Sequence, residues 1–427
     1  MRFGHAAALA AALAWGCDDG GAGGEDPDDA AIELDVASAE ADEGTTPDAE
    51  VTPDQGAEPD PDEGVVEPDM APVDPVETVG ECGEQAEGTA VNGWLYHDDD
   101  ASDRSRYAFE ISDADRVFEG DVLRLLGPGG EVEPALCADG SYVFDGLGDG
   151  VYLVIAEPPA GELCSQRNCP GRFARALAAG QAKMVTFGDS IAVVGTAGTT
   201  LFPDRVVELF APLGDIDNRN VAIGGSTSED WLPGGQPFER NLRPELADAD
   251  LIVVTLGGND VMQYIASFGG IPADIPAAIE GAREVVRQVI VNVEVILAEI
   301  RMVNADADIL YILYADYTQA TGNAIWGLVG GLLGRETLQG VLELARDSMP
   351  EEPHLVLADM FGAAQGLPLH DYLEDPLHFN NRGHTLYAEE VFVALGGVLV
   401  GQSPLFEGKS PLGLQRSYGF RPVREAE

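Results

Sequence analysis

The sequence predicts an α/β fold, with three α/β/α layers around a parallel sheet over residues 182–403 and a small all-β sandwich module over residues 83–175. Two patterns carry this prediction. After Lys183, short apolar runs alternate with stretches of helical spacing, which is typical of parallel strands covered by helices on both faces. Before Pro170, short alternating runs are separated by glycine-rich turns, which is typical of a β-sandwich.

The first 17 residues predict export. A positive charge at Arg2 and a short apolar run precede Cys17, as in a secretory signal. The run is too short to anchor the chain by spanning a bilayer. Residues 14–17 resemble a bacterial lipobox, although Trp15 is unusual in one. The resemblance implies that Cys17 is lipidated and holds the protein in the bacterial cell envelope. Secretion with Cys17 discarded or inert is the alternative.

Residues 18–82 are acidic and proline-rich, with almost no aromatic side chains. Such a segment buries too little apolar surface to offset its ordering entropy, so we interpret it as a disordered, self-repelling linker. The whole chain has a net charge of -52, and no Lys or Arg lies between Arg2 and Arg104. This charge excludes the basic face that nucleic acid or anionic lipid requires. We expect membrane contact only through a lipid anchor at Cys17.

Four strands are predicted in the β module, at residues 89–96, 122–126, 142–144 and 151–155. The segment 138–152 resembles the carboxypeptidase regulatory-like, prealbumin-type modules, which bind ligands or act as spacers, and a spacer role is favoured. An acidic loop contains Asp98, Asp99, Asp100 and Asp103. Clustered carboxylates can chelate calcium, but an exposed loop is the simpler interpretation in so acidic a chain.

Four cysteines remain once Cys17 is set aside, and an even number in an exported chain suggests two disulfides. Cys164 and Cys169 bracket a short loop and can pair locally, which would leave Cys82 with Cys137. A zinc site is the alternative, but the spacings fit zinc patterns poorly and no His lies near the last pair. The sequence therefore predicts no metal site.

The parallel sheet is predicted to contain strands at residues 184–187, 220–223, 251–256, 309–314 and 355–358. Between the third and fourth strands, apolar residues from Val285 to Ile300 recur at helical spacing, as in a helix packed on a core. An apolar, glycine-rich helical region at 325–344 either lines a pocket or packs. Residues 383–400 are predicted to form the closing helix, and the tail 404–427 has no assigned role.

Three predicted strands are followed by glycine-containing polar turns, which contain Ser190, Gly225 and Asn259. Because parallel strands end at one edge of a sheet, these turns are expected to meet. Far downstream, Asp375 and His378 lie three residues apart and can reach the Ser190 hydroxyl from one loop. A serine nucleophile, a histidine base and an orienting carboxylate suit acyl transfer. The N–H groups of Ser190 and Gly225 and the Asn259 amide are candidate donors to an oxyanion.

With these four motifs in order, the chain from about residue 183 to about residue 402 resembles the SGNH, or GDSL-type, hydrolase family. One mild departure is Ile191 in place of the leucine in the family's common name. The resemblance implies a flavodoxin-like parallel sheet. It also implies ester hydrolysis through an acyl-enzyme, with Ser190 as nucleophile, His378 as general base, Asp375 holding the imidazole, and no cofactor. Asp189, Asp260 and His384 are interpreted as structural residues.

Two other classes of function remain open. One is a catalytically silent protein that binds a glycan, and the other is a structural envelope lipoprotein that acts as an anchor. The presence of all four motifs favours the enzyme. The ester substrate stays open among acetylated carbohydrates, lipid esters and short acyl esters, because function on such a fold depends on the pocket.

Overall fold

The computed structural model describes residues 91–97, 116–118, 123–137, 140–159, 162–164, 171–268, 272–320, 344–345, 348–349, 354–401 and 418–422. Several predictions concern residues outside these ranges. They are the signal (1–17), the acidic linker (18–82), the acidic loop from Asp98 to Asp103, nearly all of region 325–344 and most of the tail.

The described strands and helices follow one another in a mixed order. The strands are β1 (Val91–His97), β2 (Arg116–Val117), β3 (Leu123–Gly127), β4 (Gly130–Val132), β5 (Ala135–Leu136), β6 (Ser141–Phe144), β7 (Gly150–Ala156), β8 (Glu162–Cys164), β9 (Gln181–Gly188), β10 (Asp215–Asn220), β11 (Leu251–Thr255), β12 (Asp308–Leu313), β13 (Leu355–Asp359), β14 (Gly397–Val400) and β15 (Tyr418–Pro422). The α-helices are α1 (Arg172–Ala178), α2 (Phe202–Phe210), α3 (Arg243–Leu246), α4 (Gly258–Ser267), α5 (Ile275–Val303), α6 (Met360–Ala363) and α7 (Asn381–Ala394).

Strands β9 to β13 form the predicted parallel sheet, in the order β10-β9-β11-β12-β13. This is the flavodoxin-like order, in which ligands bind beyond the carboxyl ends of the strands where the order reverses. Here the reversal lies between β9 and β11. The residues that follow these two strands, Ser190 and Asn259 among them, therefore flank the expected binding crevice.

The five-stranded sheet packs against helices on both faces. Along β11 the side chains alternate, with Leu251 and Val253 facing one core and Ile252 and Val254 facing the other. The first core contains residues of α1, α2 and α7, and the second contains residues of α3 and α5. The three-layer α/β/α prediction is thus confirmed, and the apolar stripe of α5 is buried in the second core as its spacing predicts.

The second strand of the parallel sheet begins earlier than the sequence pattern predicts. The structure places β10 at Asp215–Asn220, a polar run, whereas the prediction is residues 220–223. As an edge strand, β10 is only partly covered and does not need a continuous apolar sequence. The predicted residues continue its ladder, because the N–H groups of Val221 and Ile223 donate to the carbonyls of Thr186 and Gly188.

The N-terminal strands form two sheets, and both include a strand from the far end of the chain. One sheet has the order β5-β6-β1-β15-β8, with β2 beside β1, and the other has the order β14-β7-β3-β4. Side chains of both sheets, such as Phe144 and Val154, share one core, as in a sandwich. Every described pairing is antiparallel except that of β1 with β15, so the β-sandwich prediction matches the described part of the module.

Strand β7 connects the β module to the parallel-sheet layers through its two faces. Tyr152 and Val154 face the sandwich core, while Leu153 and Ile155 join the core that contains α1, α2 and α7. The two parts thus belong to one compact unit. The boundaries of the β module and the hydrolase domain as separable domains stay a prediction.

The predicted closing helix at 383–400 is in fact a helix followed by a strand. Helix α7 ends at Ala394, and Gly396 has φ +91, the left-handed conformation that commonly ends a helix. A Cβ at this position would lie 2.6 Å from the Val154 carbonyl oxygen. The chain then forms β14, which pairs with β7. The apolar residues of β14 are buried on both faces.

Cys137 is disulfide-bonded in the structure. The side chains of the other cysteines lie outside the described residues, so the pairing with Cys82 stays a prediction. Within the described ranges, no three His, Cys, Asp or Glu residues lie together as metal ligands. None of the helices described here has both the length and the apolarity to cross a bilayer.

Candidate active site

Ser190 lies on a tight turn at the carboxyl end of β9, next to β11. Gly188 has φ +127, and a Cβ there would lie 2.0 Å from the Thr255 carbonyl oxygen, so the turn requires glycine. The Asp189 N–H donates to that carbonyl at 2.9 Å. The Asp189 carboxylate then accepts the Ile191 N–H at 3.1 Å and caps the 3-10 turn that begins at Ser190. Local hydrogen bonding thus leaves Ser190 half-buried at the sheet edge.

Asp189 is 2% exposed, and its second carboxylate oxygen accepts a hydrogen bond from the Tyr314 hydroxyl. Burial raises the pKa of Asp189 to about 6. The hydrogen bonds from Tyr314, Ile191 and Thr255 lower this pKa, as would a positive charge on His378, but burial has the larger effect. The folded state therefore holds this proton more tightly than the unfolded chain. It follows that the Asp189 contribution to the free energy of unfolding decreases as the pH rises through about 6.

We predict that Tyr314→Phe destabilises the protein more at pH 8 than at pH 5. At pH 8 Asp189 is ionised, and a hydrogen bond to a buried carboxylate is worth about 2 kcal/mol. At pH 5 Asp189 is mostly protonated, and the loss should be about 1 kcal/mol, as for a neutral hydrogen bond. Urea unfolding at the two pH values measures the difference.

The matched control is Tyr311→Phe, on β12, the strand that Tyr314 follows. The Tyr311 hydroxyl donates to the Leu256 carbonyl, whose charge does not change between pH 5 and pH 8. This variant should lose the same free energy of unfolding at both pH values. Equal losses for Tyr314→Phe at the two pH values would contradict an ionised Asp189 at pH 8.

The glycine-rich turn after β10 approaches the serine directly. A Cβ on Gly224 would lie 3.9 Å from the Ser190 Cβ. The next residue, Gly225, has φ +78. The Ser226 hydroxyl donates to the Gly188 carbonyl at 2.9 Å and accepts the Trp231 indole N–H at 2.9 Å, which fixes this turn against β9. Within the described chain, neither the Ser190 N–H nor the Gly225 N–H donates a hydrogen bond, so both are available to a ligand.

Asn259 approaches the serine from the N-terminal end of α4. Its side-chain amide donates to the Ser226 carbonyl at 2.8 Å, which orients it toward the glycine-rich turn and leaves the second amide hydrogen for a ligand. Asp260 accepts both the N–H and the hydroxyl of Ser228, at 3.0 and 2.7 Å. Asp260 therefore ties the two loops together, as its structural interpretation predicts.

Asp375 and His378 form a close pair on one loop. The His378 Nδ1 lies 2.7 Å from one Asp375 carboxylate oxygen, and the other oxygen accepts the N–H groups of Leu377 and His378, both at 2.7 Å. Burial acts to raise the pKa of Asp375, but these hydrogen bonds outweigh it and hold that pKa below its ordinary value. The carboxylate therefore stays ionised near neutral pH and holds a proton on Nδ1, which leaves Nε2 as the basic nitrogen.

The described contacts between Ser190 and His378 are indirect. Leu377, the residue before His378, lines the same cavity as Ser190. No hydrogen bond joins the Ser190 hydroxyl to the imidazole within the described residues. Such bonds are often long before substrate binds and tighten in the complex, so the catalytic roles of these residues stay predictions.

His384 braces the chain that follows the serine. Its Nδ1 accepts the Phe202 N–H at 3.3 Å, and its Nε2 donates to the Val194 carbonyl at 3.1 Å. Burial lowers the pKa of His384 to about 4, so the ring is neutral above that pH. The Val194 N–H in turn donates to the Ser190 carbonyl at 2.8 Å. His384 thus lies in the first turn of α7, as predicted, and holds the serine loop.

Comparison with known proteins decides the family. Residues 186–386, which include Ser190, Gly225, Asn259, Asp375 and His378, match the model of the GDSL-like Lipase/Acylhydrolase family. The chain carries a GDSL-type hydrolase domain. This domain, residues 186–386, is of the ester-hydrolysing serine hydrolase type, as the sequence motifs predict. No curated protein matches the sequence.

Several solved structures resemble the GDSL-type domain. The lipase Lip_vut3 from a goat rumen metagenome is 16% identical, with a TM-score of 0.41 over 50% of this chain and 98% of its own. The acetylxylan esterase Axe2 from Geobacillus stearothermophilus is 16% identical, with a TM-score of 0.35 over 54% and 99%. An extracellular lipase from Streptomyces rimosus is 16% identical, with a TM-score of 0.37 over 50% and 99%. Likeness at this level informs neither the reaction nor the substrate.

A cavity of about 180 Å³ opens beside the serine of the GDSL-type domain. Ser190 and Asn259 lie on its wall, together with Asp189 and Tyr314. Most of its remaining lining is apolar and comes from α4, α5 and the ends of β11 and β12. The structure therefore brings two of the predicted site residues onto one binding cavity, with Leu377 marking the position of the His378 loop.

Sequence reasoning missed three residues that position the serine of this hydrolase. They are Tyr314, Thr255 and Trp231, whose side chains contact Asp189 or Ser226. Tyr314 and Thr255 each lie at the carboxyl end of a predicted strand, next to the expected crevice. That position is the signal that could have found them, whereas nothing in the sequence near Trp231 indicates its contact.

Proposed function

We propose that this GDSL-type hydrolase cleaves a carboxylic ester through an acyl-enzyme on Ser190. The observation that carries the proposal is the pairing of His378 Nδ1 with the Asp375 carboxylate at 2.7 Å, from one loop. A histidine oriented in this way presents a basic Nε2, and the cavity wall holds the half-buried hydroxyl of Ser190. These are the parts that nucleophilic acyl transfer requires.

The first half-reaction forms the acyl-enzyme. The Ser190 Oγ attacks the ester carbonyl carbon, and its proton passes to the Nε2 of His378. The charge on the carbonyl oxygen is stabilised by the N–H groups of Ser190 and Gly225 and by the Asn259 amide. The carbon–oxygen bond to the alcohol then breaks, and His378 returns the proton to the leaving alcohol.

The second half-reaction frees the enzyme. A water gives a proton to His378 and attacks the acyl carbon, and the Ser190 oxygen leaves and regains that proton. Asp375 stabilises the imidazolium in both halves and stays ionised, in keeping with its lowered pKa.

Labelling with a fluorescent organophosphonate tests the proposal directly, because the probe needs an activated serine as well as a pocket. We expect one equivalent of label on the full-length chain, with the modified residue identified as Ser190 by peptide mass. Ser267→Ala, which removes an exposed hydroxyl at the far end of α4, should be labelled as fully as the native chain. The absence of label on the native chain would favour the catalytically silent glycan-binding alternative.

We propose further that the protein is exported and tethered to the cell envelope through lipid on Cys17. Support comes from the signal-like N-terminus and from the acidic linker, which would hold the enzyme away from the surface. The disulfide at Cys137 suits an oxidising compartment. Envelope or environmental esters would then be the substrates within reach.

The export proposal predicts the composition of the mature protein. Intact-mass analysis should find lipid on Cys17 and no free thiol among Cys82, Cys137, Cys164 and Cys169. Cys17→Ser should abolish the lipid mass and release the protein from the envelope fraction. Four alkylatable thiols in the unreduced native protein would show that the disulfide prediction is wrong.

A further inference from the structure

We infer that the acyl group of the substrate is an alkyl chain of about six carbons or more, which lies in the cavity between α4 and α5. The inference deepens the proposed function, on which it rests, by choosing among the ester classes left open. It is carried by the polarity of the cavity wall, by its length and by the exposure of α4.

The polar groups of the cavity are concentrated at one end or already engaged. Ser190 and Asn259 mark the end where the ester group would react. The hydroxyls of Tyr311 and Tyr314 donate within the protein, to the Leu256 carbonyl and to Asp189. Asp316, which is 3% exposed, is also engaged within the fold. A sugar ring in this cavity would therefore leave hydroxyls without partners, which is costly.

The remaining wall is apolar on both helices, over most of α4 and about one turn of α5. Met262 and Ile265 line it from α4, and Val286, Val289 and Ile290 line it from α5. Asn259 and Ile265 are six residues apart on one helix, so the cavity extends about 9 Å along α4. An acetyl group would occupy only the end of a space this long.

The volume supports the same chain length. A closed apolar cavity of about 150 Å³ accommodates benzene, which has six carbons. The cavity here measures about 180 Å³ and is open, so a chain of at least that size fits. Filling it removes apolar surface from water, which favours longer acyl groups until the space is full.

Helix α4 is suited to take up an apolar ligand. None of its residues is fully buried, although Met262 and Ile265 are apolar and face the cavity. The side chains that oppose them, Val289 and Ile290, belong to the packed core and are 5% and 6% exposed. One wall is thus fixed and the other is partly open, so an alkyl chain would cover apolar surface that the fold leaves accessible.

The test is hydrolysis of 4-nitrophenyl acetate, butanoate, hexanoate and octanoate by the full-length protein. Each buried methylene should raise kcat/KM about fourfold. We therefore expect hexanoate to exceed acetate by on the order of a hundredfold. A kcat/KM that is highest for acetate or butanoate would overturn the inference and leave the proposed function intact.

Two variants on α4 locate the chain. Ile265→Trp fills the far part of the cavity and should lower the ratio of hexanoate to acetate kcat/KM at least tenfold. Ala266→Trp adds the same side chain at the next residue, which is exposed and lies off the cavity wall, and should leave the ratio unchanged. Equal ratios for the native chain and both variants would contradict the assignment of the chain to this cavity.

Binding of 1-octanol to the Ser190→Ala protein provides a measurement that does not depend on turnover. A neutral alcohol is used because a chain of net charge -52 repels fatty-acid anions. Calorimetry should detect octanol binding in Ser190→Ala, and its loss when Ile265→Trp is added. If octanol does not bind, the inference fails. If octanol binds but no ester is cleaved, the cavity assignment holds and the proposed function fails instead.

Discussion

Ser190→Ala should lower kcat for ester hydrolysis by on the order of a millionfold, and His378→Ala should lower it by a similar factor. The reason is that the two residues act as one unit. Without the hydroxyl no acyl-enzyme forms, and without the imidazole the hydroxyl keeps its proton at neutral pH. The measurement is single-turnover and steady-state hydrolysis of the best 4-nitrophenyl ester.

The double variant Ser190→Ala/His378→Ala provides the sharper test. Residues that act together are strongly non-additive, so the double variant should be no slower than either single variant. If the two losses multiply, the residues act independently and the proposed pairing is wrong. Residual activity well above the uncatalysed rate is compatible with the proposal, because the oxyanion donors and substrate binding remain.

We expect the Ser190 and His378 variants to fold. Ser190 is half-buried, and its backbone carbonyl, rather than its hydroxyl, accepts the hydrogen bonds from Val193 and Val194. Ser190→Ala should therefore unfold at the same urea concentration as the native protein. His378 is 6% exposed, so His378→Gln, which fills more of the same space than alanine, is the better variant for the stability comparison.

Much of the site follows from the sequence because the relevant signals are local. The turn at Ser190 needs a glycine before it and a capping carboxylate, and both are written in three consecutive residues. The spacing of Asp375 and His378 likewise fixes their contact, since a loop can bring residues three apart together. The meeting of the strand ends follows from the parallel sheet itself.

The missed features depend on contacts between distant parts of the chain. Tyr314 reaches Asp189 across 125 residues, and no local pattern encodes that hydrogen bond. Strand β14 resembles the end of a helix in sequence because its residues are apolar on both faces. Its true state depends on pairing with β7, which lies more than 200 residues earlier. Long-range pairing of this kind overrides local propensity.

The position of the β module illustrates the same limit. Composition marks it as separate from the α/β layers, yet Leu153 and Ile155 pack in the core with Phe173 and Leu177. Removing the module would expose this face of the hydrolase layers to water. A spacer role alone does not require such packing, so the module contributes to the stability of the layers that hold the site.

Asp375→Asn should lower kcat by about 10⁴-fold without unfolding the protein. The Asp375 carboxylate accepts three hydrogen bonds, from the imidazole Nδ1 and from the N–H groups of Leu377 and His378, and donates none. An asparagine has one oxygen and one NH₂ group. If its oxygen keeps the backbone donors, its NH₂ faces Nδ1, which must then lose its proton.

The proton then moves to Nε2, the nitrogen that must accept the Ser190 proton, so the ring holds the wrong tautomer. The control is Asp371→Asn, four residues earlier in the chain than Asp375, an exposed carboxylate that also contacts a histidine, His370. It should change kcat less than twofold. Because the pKa of Asp375 lies below its ordinary value, the native enzyme should not lose activity through this carboxylate between pH 5 and pH 8. An Asp375→Asn protein that keeps more than a tenth of native kcat would show that another group orients His378.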